Sequence, residues 1–328
     1  MTAPLLSVRN LTVRIGDIKP VEDVSFDVSA GEVLGVVGES GSGKSLMLRA
    51  ILRLLSHIAQ TSGSIAWRGR DLATLAEPEM RALRGGEIAI VFQEPMSALN
   101  PVLTIGQQIT ESLAEHLGLR GRSARSRAAE VLDLVGIPDA RRRLSSYPHE
   151  FSGGMRQRAM LGIALAAGPK LLLADEPTTA LDVTIQDQIL KLLLRLRREL
   201  SMSVVLVTHD LGIVAETCDR VAVLYSGRMM ETGPVETILT RPAHPYTLGL
   251  INSVPQAKDA RQHLAAIPGT PPDPLELPPG CRFAPRCFLT SPDCTRKQPD
   301  LRALDADHAT ACLYPHAVVR GELSFASR

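Results

Sequence analysis

An eight-residue segment, Gly38-Glu39-Ser40-Gly41-Ser42-Gly43-Lys44-Ser45, constrains this chain more than any other feature. It matches the pattern G-x-x-x-x-G-K-[ST], in which glycines allow backbone N–H groups to converge on phosphate oxygens. The apolar run 33–37 before it reads as a strand, and 46–55 after it reads as a helix. That context favours a phosphate-binding loop over a chance match in a glycine-rich turn. Lys44 is expected to reach the β- and γ-phosphates of a nucleotide, and Ser45 to bind Mg²⁺.

The rest of the chain alternates between strand-like and helix-like segments. Short apolar runs at 33–37, 88–92, 171–174 and 204–207 read as buried strands, and 5–13 and 24–28 as half-buried strands. Helical periodicity is found at 105–135, 155–167 and 183–200. Strands that alternate with helices predict an α/β fold with a mostly parallel sheet. After about residue 265, closely spaced prolines predict an extended linker that leads into a loop-rich module.

Composition excludes several classes of function. The 328 residues carry 36 Lys+Arg against 35 Asp+Glu, whereas a dedicated nucleic-acid binder is usually basic. Aromatic residues make up 3%, which also disfavours surfaces on which bases stack. No run of 18 apolar residues predicts a membrane span, and Met1–Asn10 lacks the pattern of a secretory signal. We therefore expect a cytoplasmic protein that is able to dock on a membrane protein.

Polar residues follow three of the predicted strands. Asp175 and Glu176 end the run 171–174, and ligands of open α/β sheets bind at the carboxyl ends of strands. This position suits Asp175 for the Mg²⁺ shell and Glu176 for polarising an attacking water. Gln93 follows 88–92 and could reach the metal or the water, and His209 follows 204–207 and could touch the γ-phosphate. Each residue alone is equally compatible with a solvated strand end.

One further segment ties these residues together. Phe151-Ser152-Gly153-Gly154-Met155-Arg156-Gln157-Arg158 resembles the L-S-G-G-Q signature of ABC ATPases. The order also fits that family: phosphate loop, Gln93, signature, Asp175-Glu176, Asp182 and His209. The resemblance implies a P-loop NTPase domain of ABC type, with a mostly parallel sheet core, an antiparallel β subdomain and a helical subdomain at about 94–165.

The family's mechanism then becomes an expectation for this chain. Two such domains pack head to tail with two ATP molecules between them. The phosphate loop of one and the signature of the other cover each nucleotide, so Ser152, Gly153, Gly154 and Met155 would serve the partner's ATP. Glu176, His209 and Gln93 would be catalytic, Mg²⁺ would be held through Ser45, Asp175 and Gln93, and Asp182 would lie at the dimer seam.

Two positions depart from the family pattern. Met155 stands where the signature usually has Gln, which changes one polar contact. Ile15 occupies the position of the aromatic residue that stacks on adenine in the family. Because Ile offers no ring, we predict weak discrimination between ATP and GTP. Competition binding that showed strong rejection of GTP would contradict this.

A narrower resemblance points to one branch, the ATPases of oligopeptide, dipeptide and nickel importers. It is carried by Phe151–Arg158, Asp175–Thr184, Arg241–Thr247 and Pro279–Cys287. It implies a nucleotide-binding domain at 1–240 and a C-terminal extension at 241–328. The expected function is ATP hydrolysis that powers import of peptides or related small solutes. The alternative is a soluble ABC ATPase not coupled to transport, a class that often has coiled-coil insertions or paired cassettes.

The branch also implies partners and a location. Two non-identical ATPases often pair there, so a heterodimer with a paralogous ATPase is expected. Further partners would be two integral membrane permease subunits and, indirectly, a periplasmic or extracellular solute-binding protein. The chain would be a peripheral protein on the cytoplasmic face of a bacterial inner membrane.

Four of the five cysteines, Cys281, Cys287, Cys294 and Cys312, fall near the C-terminus. Four thiolates in one small module suggest a metal centre. Structural zinc sites more often show closely spaced cysteine pairs, whereas these wider gaps suit a [4Fe–4S] cluster. The spacing itself leaves iron, Zn²⁺ and free buried thiols open, and the branch resemblance favours iron–sulfur.

Overall fold

The computed structural model describes residues 3–94, 98–179, 181–253 and 267–319. The strands are β1 (Leu6–Ile15), β2 (Ile18–Val28), β3 (Val33–Val37), β4 (Ala59–Trp67), β5 (Arg70–Asp71), β6 (Ile88–Val91), β7 (Leu171–Asp175), β8 (Ser203–Thr208), β9 (Arg220–Tyr225), β10 (Arg228–Pro234), β11 (Arg302–Ala303) and β12 (Ala309–Thr310). The helices are α1 (Lys44–Ile51), α2 (Glu77–Leu83), α3 (Ile105–Leu117), α4 (Gly121–Leu134), α5 (Ala140–Arg143), α6 (Gly153–Leu165), α7 (Val183–Glu199), α8 (Leu211–Thr217), α9 (Val235–Thr240), α10 (Pro245–Asn252), α11 (Pro292–Arg296) and α12 (Pro315–Val319).

These elements form two compact units. The first, the loop unit, comprises 1–28, 33–73 and 208–328, and the second, the carboxylate unit, comprises 29–32 and 74–207. The loop unit thus contains both the phosphate loop and the C-terminal extension. The predicted domain division at residue 240 stays a prediction.

The loop unit contains a small antiparallel sheet with strand order β2-β1-β4-β5. Buried and less buried residues alternate along much of β1, as the sequence pattern predicts for a half-buried strand. In the same unit β3 pairs in parallel with β9, and β9 pairs antiparallel with β10. Every residue of β3 is buried, which explains its unbroken apolar sequence. The phosphate loop follows directly from β3 and leads into α1.

In the carboxylate unit, β6, β7 and β8 pair in parallel. Strand β7 is buried at all five positions and ends at Asp175. Helices α3 to α6 lie between β6 and β7 in the sequence, in the region predicted as helical. The predicted helical stretch 105–135 is two helices, because Gly118 adopts a left-handed conformation with φ of +67° and ends α3.

The C-terminal extension is attached to the rest of the loop unit through both backbone and side-chain contacts. Strand β12 pairs with β10, and the backbone N–H of Ala311 donates to the carbonyl of Met230 at 2.8 Å. Phe283, which is fully buried, packs in a core cluster with Tyr225 of β9 and Tyr246 of α10. Across the described ranges, none of the helices combines the length and apolar character that crossing a membrane requires.

Candidate functional site

The phosphate loop has the shape that its glycines predict. Gly43 has φ of +96°, and a Cβ there would lie 2.3 Å from the carbonyl oxygen of Pro20. A side chain at this position would therefore collide with backbone, so only glycine fits. Lys44 is 5% exposed, and its ammonium donates to the carbonyls of Gly38 at 2.8 Å and Glu39 at 2.9 Å. The lysine is held against the concave loop in which phosphate would bind.

Glu39 of this loop makes two contacts that the sequence did not predict. Its backbone N–H donates to the hydroxyl of Tyr246 at 2.9 Å. Its carboxylate accepts two hydrogen bonds from Nη1 of Arg286, at 2.9 and 3.1 Å. Both partners lie C-terminal to β10: Tyr246 is in α10, and Arg286 is in the segment between Cys281 and Cys287. Because they are more than 200 residues away in the chain, no local pattern could have identified them.

A cavity of about 180 Å³ opens beside the loop. It is lined by the loop itself, by Lys19 and Pro20 of β2, by the end of β9 and by prolines of the extension. Ile15, the predicted adenine contact, is half-buried at the end of β1, where it pairs with Ile18 and Ala59. Its proposed contact with a base stays a prediction.

The carboxylate unit brings three of the predicted residues together. Asp175 is 2% exposed at the end of β7, and Glu176 follows it. The amide of Gln93 donates to a carboxylate oxygen of Glu176 at 3.2 Å. The hydroxyl of Thr179 donates to the same oxygen at 2.8 Å. Glu176 therefore has a fixed carboxylate with Gln93 as its neighbour, and the predicted catalytic and metal-binding roles of these residues stay predictions.

His209 belongs to the loop unit. It is exposed immediately after β8, ahead of Asp210, whose side chain caps α8 by accepting from the backbone N–H of Gly212 at 2.7 Å. The cap fixes the chain directly after His209. Its predicted role at the γ-phosphate stays a prediction.

The signature segment starts a helix. Ser152 caps α6 and accepts from the backbone N–H of Met155 at 3.4 Å. Ser152 and Gly153 are exposed at this helix N-terminus, a position suited to anions. Asp182 caps α7 in the same way, accepting from Ile185 at 2.9 Å. A Cβ on Gly154 would lie 3.0 Å from the side chain of Ile185, so these two helix starts are neighbours.

The iron–sulfur prediction is wrong. Among the described residues, no group of three or more His, Cys, Asp or Glu side chains is arranged to hold a metal ion, which removes the support for iron and for Zn²⁺ at the four cysteines. Burial raises the pKa of Cys287 and of Cys312 to about 12, and it also raises the pKa of Cys281. Cys281 and Cys312 are buried in the extension, and Cys287 is half-buried.

Comparison with known proteins agrees with the geometry of the loop. The model of the family described as ABC transporter matches residues 21–179, and that described as oligopeptide/dipeptide transporter, C-terminal region, matches 230–294. A protein of Brucella abortus (strain 2308), named as a peptide import ATP-binding protein, is 53% identical over 95% of both chains. The oligopeptide transport ATP-binding protein OppD of Haemophilus influenzae is 47% identical over 89% of this chain and 91% of its own.

Solved structures show the same fold. A dimeric post-hydrolysis state of the ATP-binding cassette MJ0796, bound to ADP and Pi, aligns with a TM-score of 0.62 and 30% identity. That alignment covers 70% of this chain and 98% of the cassette. The predicted fold class and the predicted enzyme class, an ABC-type ATPase, are thereby confirmed. The chain belongs to the ABC transporter family, in the group that carries the oligopeptide/dipeptide transporter C-terminal region.

Proposed function

We propose that this chain is the ATP-hydrolysing subunit of an importer for peptides or related small solutes. The observation that carries the proposal is the Glu176 carboxylate, which Gln93 and Thr179 orient at the end of the strand that bears Asp175. An oriented carboxylate beside a buried one is what activation of a water next to a metal-bound phosphate requires. The peptide cargo is supported by the names of the relatives from Brucella and Haemophilus.

The residues fit Mg-ATP on a structural criterion. A Cβ on Gly43 would collide with the backbone of Pro20, so the turn into α1 requires glycine, and the buried ammonium of Lys44 gives the loop the positive charge that a triphosphate needs. We assign the triphosphate to Gly38–Ser45 and the metal to Ser45, Asp175 and Gln93. When bound, Mg²⁺ neutralises charge on the phosphate oxygens. Lys44 exchanges the carbonyls of Gly38 and Glu39 for phosphate, and Glu176 orients the attacking water or accepts its proton.

The exposed helix starts support a paired assembly. Ser152 and Gly153 are exposed at the start of α6, and we assign them, with Gly154 and Met155, to the ATP of a partner subunit. Asp182, at the neighbouring helix start, is assigned to the seam between the two. The preferred partner is a paralogous ATPase, with two permease subunits that receive a solute-binding protein. The chain then works as a peripheral protein at the cytoplasmic face of the bacterial inner membrane.

Transport in proteoliposomes tests the proposal. The chain, its paralogous ATPase and the permease subunits are reconstituted, and uptake of labelled peptides is measured with and without ATP and the binding protein. We expect ATP-dependent uptake that Lys44→Ala abolishes, with Lys191→Ala as the control because Lys191 lies on the exposed side of α7. ATP hydrolysis that no permease or solute stimulates would favour the soluble ATPase instead.

A further inference from the structure

Glu39 is restrained at each of its polar groups. Its carbonyl accepts from Lys44 at 2.9 Å, its N–H donates to the hydroxyl of Tyr246 at 2.9 Å, and its carboxylate is held by Arg286. The first restraint comes from within the phosphate loop, and the other two come from the region C-terminal to β10. The loop conformation therefore depends on residues that lie outside the nucleotide-binding motif.

Arg286 is itself held firmly. Its Nε donates to the carbonyl of Pro268 at 2.8 Å, and its Nη1 donates to the hydroxyl of Tyr225 at 3.1 Å. The guanidinium also lies 5.7 Å from the ring centre of Tyr225 and 5.9 Å from that of Phe283. The residue is 8% exposed. A side chain with so many fixed contacts loses little further freedom when it restrains Glu39.

These contacts matter because the loop is rich in glycine. A glycine-rich segment has many conformations, and fixing one of them costs conformational entropy. If folding already fixes the loop conformation, nucleotide binding does not have to lose that entropy. The affinity for phosphate is then higher. Arg286 and Tyr246 supply this restraint at Glu39, the residue whose carbonyl also holds Lys44.

We propose that Arg286 is a positioning residue for nucleotide binding, which acts through Glu39 to hold the phosphate loop ready for a triphosphate. The C-terminal extension is then part of the ATP site. This inference rests on the proposed function, since it assumes that the loop binds Mg-ATP. A purely structural role is the competing explanation, because Arg286 also ties Pro268 to Tyr225.

A double-mutant cycle separates the two explanations. Arg286→Gln, Glu39→Gln and the double variant are compared for the Kd of Mg-ATP and of magnesium tripolyphosphate, by calorimetry on the full chain. We expect Arg286→Gln to weaken both ligands about tenfold, because the loop contacts phosphate and not the base. In the Glu39→Gln background the same change should add less than twofold, since the negative charge that pairs with Arg286 is gone. Arg302→Gln is the control, because Arg302 belongs to the same extension and donates to the carbonyls of Cys312 and Leu313.

Turnover in the reconstituted transporter adds a second readout. Arg286→Gln should raise the KM for ATP about tenfold and leave kcat at saturating ATP within about twofold. Arg286→Lys should recover part of the affinity, because it keeps the charge but not the planar fork. If Arg286→Gln does not fold, Tyr246→Phe decides, since it keeps the ring and removes only the acceptor for the Glu39 N–H.

Three results would overturn the inference. The first is an unchanged Kd for Mg-ATP in Arg286→Gln. The second is a tenfold loss of affinity on Arg286→Gln that persists in the Glu39→Gln background. The third, where Tyr246→Phe is needed, is an unchanged Kd in that variant. The second would mean that Arg286 acts through the fold alone. A wild-type chain that binds neither ligand would instead remove the proposed function.

Discussion

At the scale of single residues, the backbone of Glu176 stands out. Its φ of +44° lies in the left-handed region, which costs a residue other than glycine about 1–3 kcal/mol. The conformation is held by a hydrogen bond from its N–H to the carbonyl of Val207 at 3.0 Å and by the two bonds to its carboxylate.

Glu176→Gln should separate binding from hydrolysis. The amide keeps the size of the side chain and loses the charge that activates water, so kcat should fall by about 10²–10⁴-fold while Mg-ATP still binds. Steady-state turnover and equilibrium binding measure the two effects. Glu199→Gln, at the exposed end of α7, is the control. Wild-type turnover in Glu176→Gln would show that another group activates the water.

Two glycines of the phosphate loop make a matched pair. Gly43→Ala should lower the free energy of unfolding by about 2–4 kcal/mol, because its Cβ would lie 2.3 Å from the Pro20 carbonyl at a φ of +96°. Gly41→Ala should cost only about 1 kcal/mol, since its φ of +77° is strained but nothing lies within 4 Å. Urea titrations without nucleotide measure both, and equal losses would contradict the steric argument.

Sequence reasoning could propose Gly38–Ser45 and Glu176 as site residues because they form local patterns whose spacing reflects one chemical task. It could not identify Arg286 or Tyr246 as neighbours of Glu39. Their contacts depend on how distant segments pack, and no periodicity carries that information. The same limit explains the cysteines, since their spacing does not reveal that Cys281 and Cys312 are buried and that Cys287 is half-buried.

At the scale of elements, apolar runs predicted the buried strands well. The runs at 33–37 and 171–174 correspond to β3 and β7, and 183–200 corresponds to α7. Strand β4 was not predicted, because its sequence Ala59–Trp67 is mostly exposed and polar and pairs with β1 through its backbone. An exposed strand of this kind has no hydrophobic period to detect.

The start of α10 should make stability depend on pH. His244 is 2% exposed, and its Nδ1 accepts from the backbone N–H of Tyr246 at 3.1 Å. Burial lowers the pKa of His244 from 6.5 to about 3. Below pH 6.5 the unfolded chain takes up a proton there that the folded chain excludes, so stability falls as the pH falls toward 3.

His244→Asn keeps a cap acceptor and removes the titration. Between pH 7 and pH 5 the wild type should lose about 2 kcal/mol more unfolding free energy than the variant. Urea unfolding at several pH values measures the difference. Parallel pH profiles for the two proteins would show that folding does not lower the pKa of His244.

At the scale of the whole molecule, the C-terminal extension shares its core with the rest of the loop unit. Phe283 is fully buried in the cluster that also contains Val37, the last residue of β3 before the phosphate loop, and Tyr225 of β9. Its ring lies 5.3 Å from the rings of both Tyr225 and Tyr246. Because one cluster holds both regions, the extension and the β3–β9 layer should unfold together.

Phe283→Ala tests this shared core. Loss of a buried aromatic ring should cost about 3–5 kcal/mol, and because Val37 loses a neighbour, Mg-ATP affinity should fall as well. Leu275→Ala is the control, since Leu275 belongs to the same extension and is 72% exposed. Unfolding in urea is monitored in two ways, by protease cleavage of the extension and by loss of nucleotide binding. In the wild type both probes should show the same unfolding transition. If the extension of Phe283→Ala became protease-sensitive while Mg-ATP bound as in the wild type, the extension would be a separate folding unit, and its contact with the phosphate loop would be incidental.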